Sequence, residues 1–292
     1  MRKTILWGKV MGKYYISGFA DEIADDLETQ ISSVKSLGLS FIEMRRIDGI
    51  NLIYHDDAKI LDIKSKLSEA GIKVSAIASP IGKISINEPF EPHFEQFKRA
   101  VEIAQMLNTK NIRMFSFVLP EGRKKKYREK VFNRIRQLVD YAAAHDIVLL
   151  HENEKDTYGE MARECRELMD EFGGKHFKAI FDFAAFVQAR QDTIKAYELL
   201  KNHIECIHVK DAMYQNGNIV PAGMGDGKVP EILRRLHWKD YQGFICLEPQ
   251  LDHFAEAIVQ EEVEKAFAVR LRGLNSYESF LLAQRSLFQI LV

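Results

Sequence analysis

Four acidic or imidazole side chains in the second half of the chain sit where short apolar runs stop. The run 147–150 leads through His151 into Glu152, 177–181 leads into Asp182, 204–207 into His208, and 243–247 into Glu248. Two Glu, one Asp and one His make a hard-leaning oxygen and nitrogen donor set. It suits one divalent cation, Mn²⁺ or Mg²⁺ first, with Co²⁺ or Zn²⁺ also within its range. Such a cation beside a carbonyl and an adjacent hydroxyl acidifies the C–H between them. Two carboxylates on opposite sides of the substrate can remove that proton and return it. Glu152 and Glu248 are therefore expected to act as proton carriers as well as ligands. Glu43, Ser79, Ser116, Asn153, Lys210 and Asp211 lie at or next to strand ends and are expected to bind substrate, with Lys210 polarising an oxygen or pairing with Asp211.

An apolar run that ends in polar side chains reads as a buried parallel strand delivering chemistry at its C-terminal end. Seen this way the chain alternates regularly. Strands are expected over 14–20, 39–44, 72–78 and 111–115, then at the four runs above. Between them fall helical spacings. Asp25 with Glu28 gives a capping-box-like start, Asp56 and Gly71 bracket a second helix, and residues 92–107 and 124–145 follow. Thr157 with Glu160 suggests another capping box, helices are expected over 192–200 and 255–271, and Pro230 suits a first helical turn. Eight strands, each followed by a helix, predict an α/β fold, a single (β/α)8 barrel over 14–273. Residues 275–292 carry Phe280, Leu287 and Phe288 on one helical face. This C-terminal extension, 274–292, is expected to pack across the barrel or to meet another subunit in a homodimer.

Composition narrows the function classes. The chain has 292 residues, 46% apolar, with a formal net charge of −1. No excess of positive charge points to nucleic acid. The basic turn at 123–126 is either solvated or meets a phosphate. No apolar run approaches the ~20 residues that span a bilayer, and residues 1–13 lack the apolar stretch of a signal peptide. Cys165, Cys206 and Cys246 form an odd set without metal-type spacing, so a reduced, cytoplasmic setting is expected. No G-x-G-x-x-G follows the first strand, and neither a Walker loop nor a G-x-S-x-G elbow is present. His151 should point away from the Glu152 side chain because neighbours in a strand face opposite ways.

The set His151-Glu152-Asn153, Phe181-Asp182, His208-Val209-Lys210-Asp211, Gly223-x-Gly225-Asp226-Gly227 and Leu247-Glu248-Pro249 resembles the xylose isomerase-like barrel superfamily. Within it the chain is similar to sugar phosphate isomerases and epimerases, including ketose 3-epimerases. The resemblance covers roughly 14–253. It implies that Glu152, Asp182, His208 and Glu248 hold the metal and that a small sugar or sugar phosphate is isomerised or epimerised through an enediolate. Ala185 and Tyr214 stand where ketose 3-epimerases carry a substrate-binding His and an Arg. A keto-polyol dehydratase of the inosose type is the alternative on the same barrel. A DNA-repair endonuclease, which wants more His ligands and a basic groove, is a third reading, opposed by the single rim His and the net charge of −1.

Overall fold

Alternating strands and helices build the expected parallel barrel. The computed structural model describes residues 14–251 and 274–291. The wall consists of β1 (Tyr15–Gly18), β2 (Phe41–Met44), β3 (Lys73–Ala78), β4 (Asn111–Met114), β5 (Val148–Glu152), β6 (Phe177–Asp182), β7 (Ile204–Val209) and β8 (Phe244–Leu247). Every ladder in it is parallel, in the order β1-β8-β7-β6-β5-β4-β3-β2. The two ends, β1 and β2, pack side by side, so the sheet comes round almost to closure. Buried serines help at that seam. Ser17 Oγ lies 2.7 Å from Ser75 Oγ, which donates to the Ile42 carbonyl at 3.0 Å.

The described helices are α1 (Leu27–Ser36), α2 (Asp57–Ala70), α3 (Glu91–Met106), α4 (Lys124–Ala144), α5 (Ala162–Phe172), α6 (Phe183–Gln188), α7 (Thr193–Leu200), α8 (Val229–Trp238) and α9 (Ser276–Leu291). Short polar side chains start several of them by accepting an otherwise unpaired N–H. Asp56 accepts from Lys59 N at 2.8 Å, and Gly71 closes α2 at φ +71°, where a side chain would be strained. Asp26, one residue later than expected, accepts from Thr29 N at 2.8 Å. The Thr157–Glu160 capping box does not form. The Thr157 hydroxyl donates to the Glu154 carbonyl at 2.8 Å, a short 3-10 turn covers Tyr158–Glu160, and α5 begins after Met161 without a side-chain cap. A loop bond has outcompeted the helix cap. The short α6 was not expected from the sequence. The expected helix over 255–271 and the reading of residues 1–13 lie outside the described residues. None of the described helices is long and apolar enough to cross a membrane.

Strand alternation divides the apolar residues into two layers. Phe19, Ala76, Ala78, Leu150, Ile180, Cys206 and Cys246 fill the barrel interior. Their strand neighbours Leu149, Phe181 and Ile207 join the larger layer between wall and helices. Helix α9 packs on this chain's own barrel. Its start is a capping box in which Asn275 and Glu278 exchange backbone-to-side-chain bonds, each 2.9 Å. It buries Phe280, Ala283, Gln284 and Leu287, and Gln284 Nε2 donates to the Leu37 carbonyl at 2.7 Å. Gly18 makes room for it, because a Cβ there would come within 2.6 Å of Phe280 Cζ.

Candidate metal centre and active site

Glu152 and Asp182 are the last residues of β5 and β6, His208 lies near the end of β7, and Glu248 directly follows β8. Asp182 pairs in register with His208, which pairs on its other side with Cys246. Alternation aims Glu152, Asp182 and His208 at the barrel axis above Leu150, Ile180 and Cys206, which occupy the interior two residues earlier. All four side chains are buried. One donor atom from each of Glu152, Asp182, His208 and Glu248 lies within 4.8 Å of the other three. His208 Nδ1 is 2.7 Å from Glu152 Oε1 and 3.2 Å from Glu248 Oε2. Asp182 serves two elements, since Oδ1 caps α6 by accepting from Ala185 N at 2.9 Å. Its Oδ2 meets Lys210 Nζ at 2.9 Å, and Lys210 also lies 3.4 Å from Glu248 Oε2. Lys210 therefore pairs with Asp182 and Glu248, not with Asp211.

The donor set fits a divalent cation. Three carboxylates and an imidazole converge at the mouth end of a barrel, and Glu152 Oε2 is buried with no aligned hydrogen bond among the described residues, Arg113 Nη1 lying 3.3 Å away. Without a cation, cationic side chains balance the site. Burial opposes charge on every member. It would raise Glu248, but Lys210, His208 and Arg45 outweigh it and hold that carboxyl well below its usual range. Glu152 is likewise lowered against burial by His208 and Arg113. Burial, helped by Glu152 and Glu248 and opposed by Lys210, pushes Asp182 up to about 6. Burial disfavours the charged forms of His208 and Lys210, yet the surrounding carboxylates raise both. An incoming metal replaces protons on this set.

Each glutamate has an arginine behind it. Arg45 Nη1 lies 3.2 Å from Glu248 Oε1, while its Nε donates to Asp21 Oδ2 at 2.7 Å. Arg113 Nη1 lies 3.3 Å from Glu152 Oε2. Both guanidinium groups stand over the ring of Phe19, at 4.7 and 5.7 Å, and that ring meets His208 edge-on at 5.3 Å. Sequence reasoning assigned no role to Phe19, Arg45 or Arg113. The available signal was Arg113 itself, an arginine between Ile112 and Met114 in a buried strand.

Of the expected substrate-binding residues, Lys210 reaches the ligand cluster and Glu43 meets His208 from the other side of its ring. The others are bonded to the backbone or loops around the rim. Ser79 Oγ donates to the Arg113 carbonyl at 2.5 Å. Ser116 Oγ donates to Thr157 Oγ1 at 3.2 Å and accepts from Gly159 N at 2.7 Å. Asn153 ties β5 to β6, donating to the Asp182 carbonyl at 3.1 Å and accepting from its N–H at 3.0 Å. Asp211 accepts from the N–H groups of Ala212, Gly223, Gly225 and Gly227, all at 2.9–3.0 Å. A Cβ on Gly225 would lie 2.5 Å from Asp211 Oδ1, so the glycines of this loop let backbone close round the carboxylate. His151 points outward as expected, stacked on Phe177, and burial lowers it to about 4.

Known proteins share this architecture. The chain is 24% identical over 204 residues, 62% of its own length and 70% of the relative, to a 3-dehydroshikimate dehydratase of Bacillus anthracis. It superposes with a TM-score of 0.64 on a xylose isomerase-like barrel protein of Mycobacterium smegmatis in complex with magnesium, at 16% identity and 96% coverage of both chains. A D-tagatose 3-epimerase-like protein superposes at 0.68 with 14% identity, over 94% of this chain and 98% of that one. Residues 31–269 match the profile of one family, and the chain belongs to it: the xylose isomerase-like TIM barrels.

Proposed function

We propose that the protein is a divalent-metal-dependent isomerase or epimerase of a sugar or sugar phosphate, moving the proton beside a carbonyl through an enediolate. The observation that carries this reading is the pair Glu152 and Glu248, which flank His208 Nδ1 at 2.7 and 3.2 Å, each backed by an arginine. Glu152, Asp182, His208 and Glu248 would hold the cation, which when bound supplies Lewis-acid polarisation of the substrate carbonyl. Glu152 and Glu248 supply the carboxylate oxygens that act as the two bases. Return of the proton to the opposite face of the same carbon gives epimerisation, and delivery to the neighbouring carbon gives isomerisation. Phe19 and the buried strand ends limit water around the transferring proton.

A second reading is dehydration of a cyclic keto-polyol, in which the same proton abstraction is followed by loss of a hydroxyl. The name of the Bacillus anthracis relative favours it. So do the two departures from the ketose-epimerase pattern. Ala185 offers its backbone N–H to Asp182, and the Tyr214 hydroxyl donates to the Gln191 carbonyl. Incubation with Mn²⁺ and a panel of ketoses, ketose phosphates and cyclic keto-polyols, read by product NMR, tests both. An epimer or isomer supports the first reading and an unsaturated, dehydrated product the second. No conversion in any class counts against the shared chemistry.

A further inference from the structure

The imidazole of His208 has a carboxylate on each side. Nδ1 looks towards Glu152 and Glu248, in the metal-type cluster. Nε2 lies 3.3 Å from Oε2 of Glu43, a residue of β2 that is 1% exposed. Neither Glu43 oxygen nor His208 Nε2 makes a well-aligned hydrogen bond among the described residues, and the Cys246 thiol is the other polar group beside Glu43. A buried carboxylate left in this state is costly, so a small rotation that joins the two groups is favoured. The ladder between β2 and β3 shifts register between Ile42 and Glu43. Ile42 and Met44, on either side of Glu43, enter the outer core, so alternation along β2 turns Glu43 inward. The ligand-type atoms of Glu43, His208 and Cys246 gather within 4.8 Å, and Cys246 belongs to the barrel interior. Glu43 thus meets the ring from the packed interior, whereas substrate enters such barrels from the loops at the strand C-termini.

We propose that Glu43 is a positioning residue, accepting the Nε2–H of His208 so that Nδ1 presents its lone pair to the cation. The proposal rests on the metal-site reading above. A neutral imidazole carries one ring proton, and the bond made by one nitrogen decides which nitrogen is free to ligate. The opposite tautomer would direct an N–H at the cation. Glu43 then binds no substrate, and its contribution is read in metal affinity.

Zn²⁺, which is diamagnetic, tests this in the full chain. Two-bond ¹H–¹⁵N spectra of the Zn²⁺-loaded wild type should place the His208 ring proton on Nε2, with one equivalent of metal bound. Glu43→Leu should weaken Zn²⁺ binding roughly 10–100-fold. Glu43→Gln, whose amide oxygen still accepts from Nε2–H, should recover most of that loss. One-equivalent binding with the proton on Nδ1, or unchanged affinity in Glu43→Leu, overturns the positioning role and leaves the metal site standing. Two equivalents, the second lost in Cys246→Ala, would make Glu43 a ligand and also overturn it. Failure of the wild type to bind Zn²⁺ overturns both. If Glu43→Leu does not fold, the wild-type spectrum decides.

Discussion

Lys210 Nζ lies 2.9 Å from Asp182 Oδ2, so an ammonium group sits inside the ring of metal-type donors. It is an internal counter-charge for the carboxylates of the cluster. Replacing it with Met removes the cationic partner of Asp182, while Glu248 keeps Arg45 and His208. Breaking one side of a buried ion pair costs roughly 3–5 kcal/mol. Lys210→Met should therefore melt well below wild type in chelator and gain more than wild type does from added Mn²⁺. Equal melting temperatures in chelator would contradict this role.

His208 supplies the one nitrogen donor in the cluster and is fully buried. His208→Ala should lose high-affinity metal binding while keeping the far-UV CD of the barrel. Metal analysis after dialysis checks this. Full occupancy in the variant would remove His208 from the ligand set.

Glu152→Gln and Glu248→Gln keep size and one oxygen acceptor but remove the base. Loss of a general acid–base group reduces turnover by about 10²–10⁴-fold. Each variant should show that fall in kcat with a far smaller change in KM. A change confined to KM would reassign the residue to binding.

The outer face of the barrel makes a separate prediction. Phe280 is buried against Gly18, and emptying such a site costs about 3–5 kcal/mol. Phe280→Ala should lower the melting temperature by several degrees, whereas Leu61→Ala, at an exposed position of α2, should leave it near wild type. Equal effects would mean that α9 does not stabilise the barrel.

Much of this site was legible because buried parallel strands are apolar until they end. Glu152, Asp182, His208 and Glu248 each break such a run, and period-two alternation aims the first three inward. The turn of α6 was hidden because Asp182 is both a strand end and a helix cap, and residues 183–187 are apolar throughout. Glu43 lay in the right strand, and alternation with Ile42 and Met44 turns it inward, but its meeting with the His208 ring joins β2 to β7 and exists only once the barrel closes. Arg45 follows β2, Arg113 lies in β4 and Phe19 follows β1, and their meeting with the two glutamates exists only once the barrel closes. Asp211 looked like a substrate contact, yet its carboxylate organises the glycine loop.

Proton transfer beside a carbonyl leaves a direct trace in solvent exchange. The Mn²⁺-loaded enzyme is incubated in D₂O with the substrate class that the product survey identifies. Deuterium should appear at the carbon next to the carbonyl, or, when a hydroxyl is lost, substrate deuterated at that carbon should turn over more slowly than unlabelled substrate. Glu152→Gln and Glu248→Gln should each suppress the signal while still binding metal. Turnover that leaves that C–H bond intact would contradict the account.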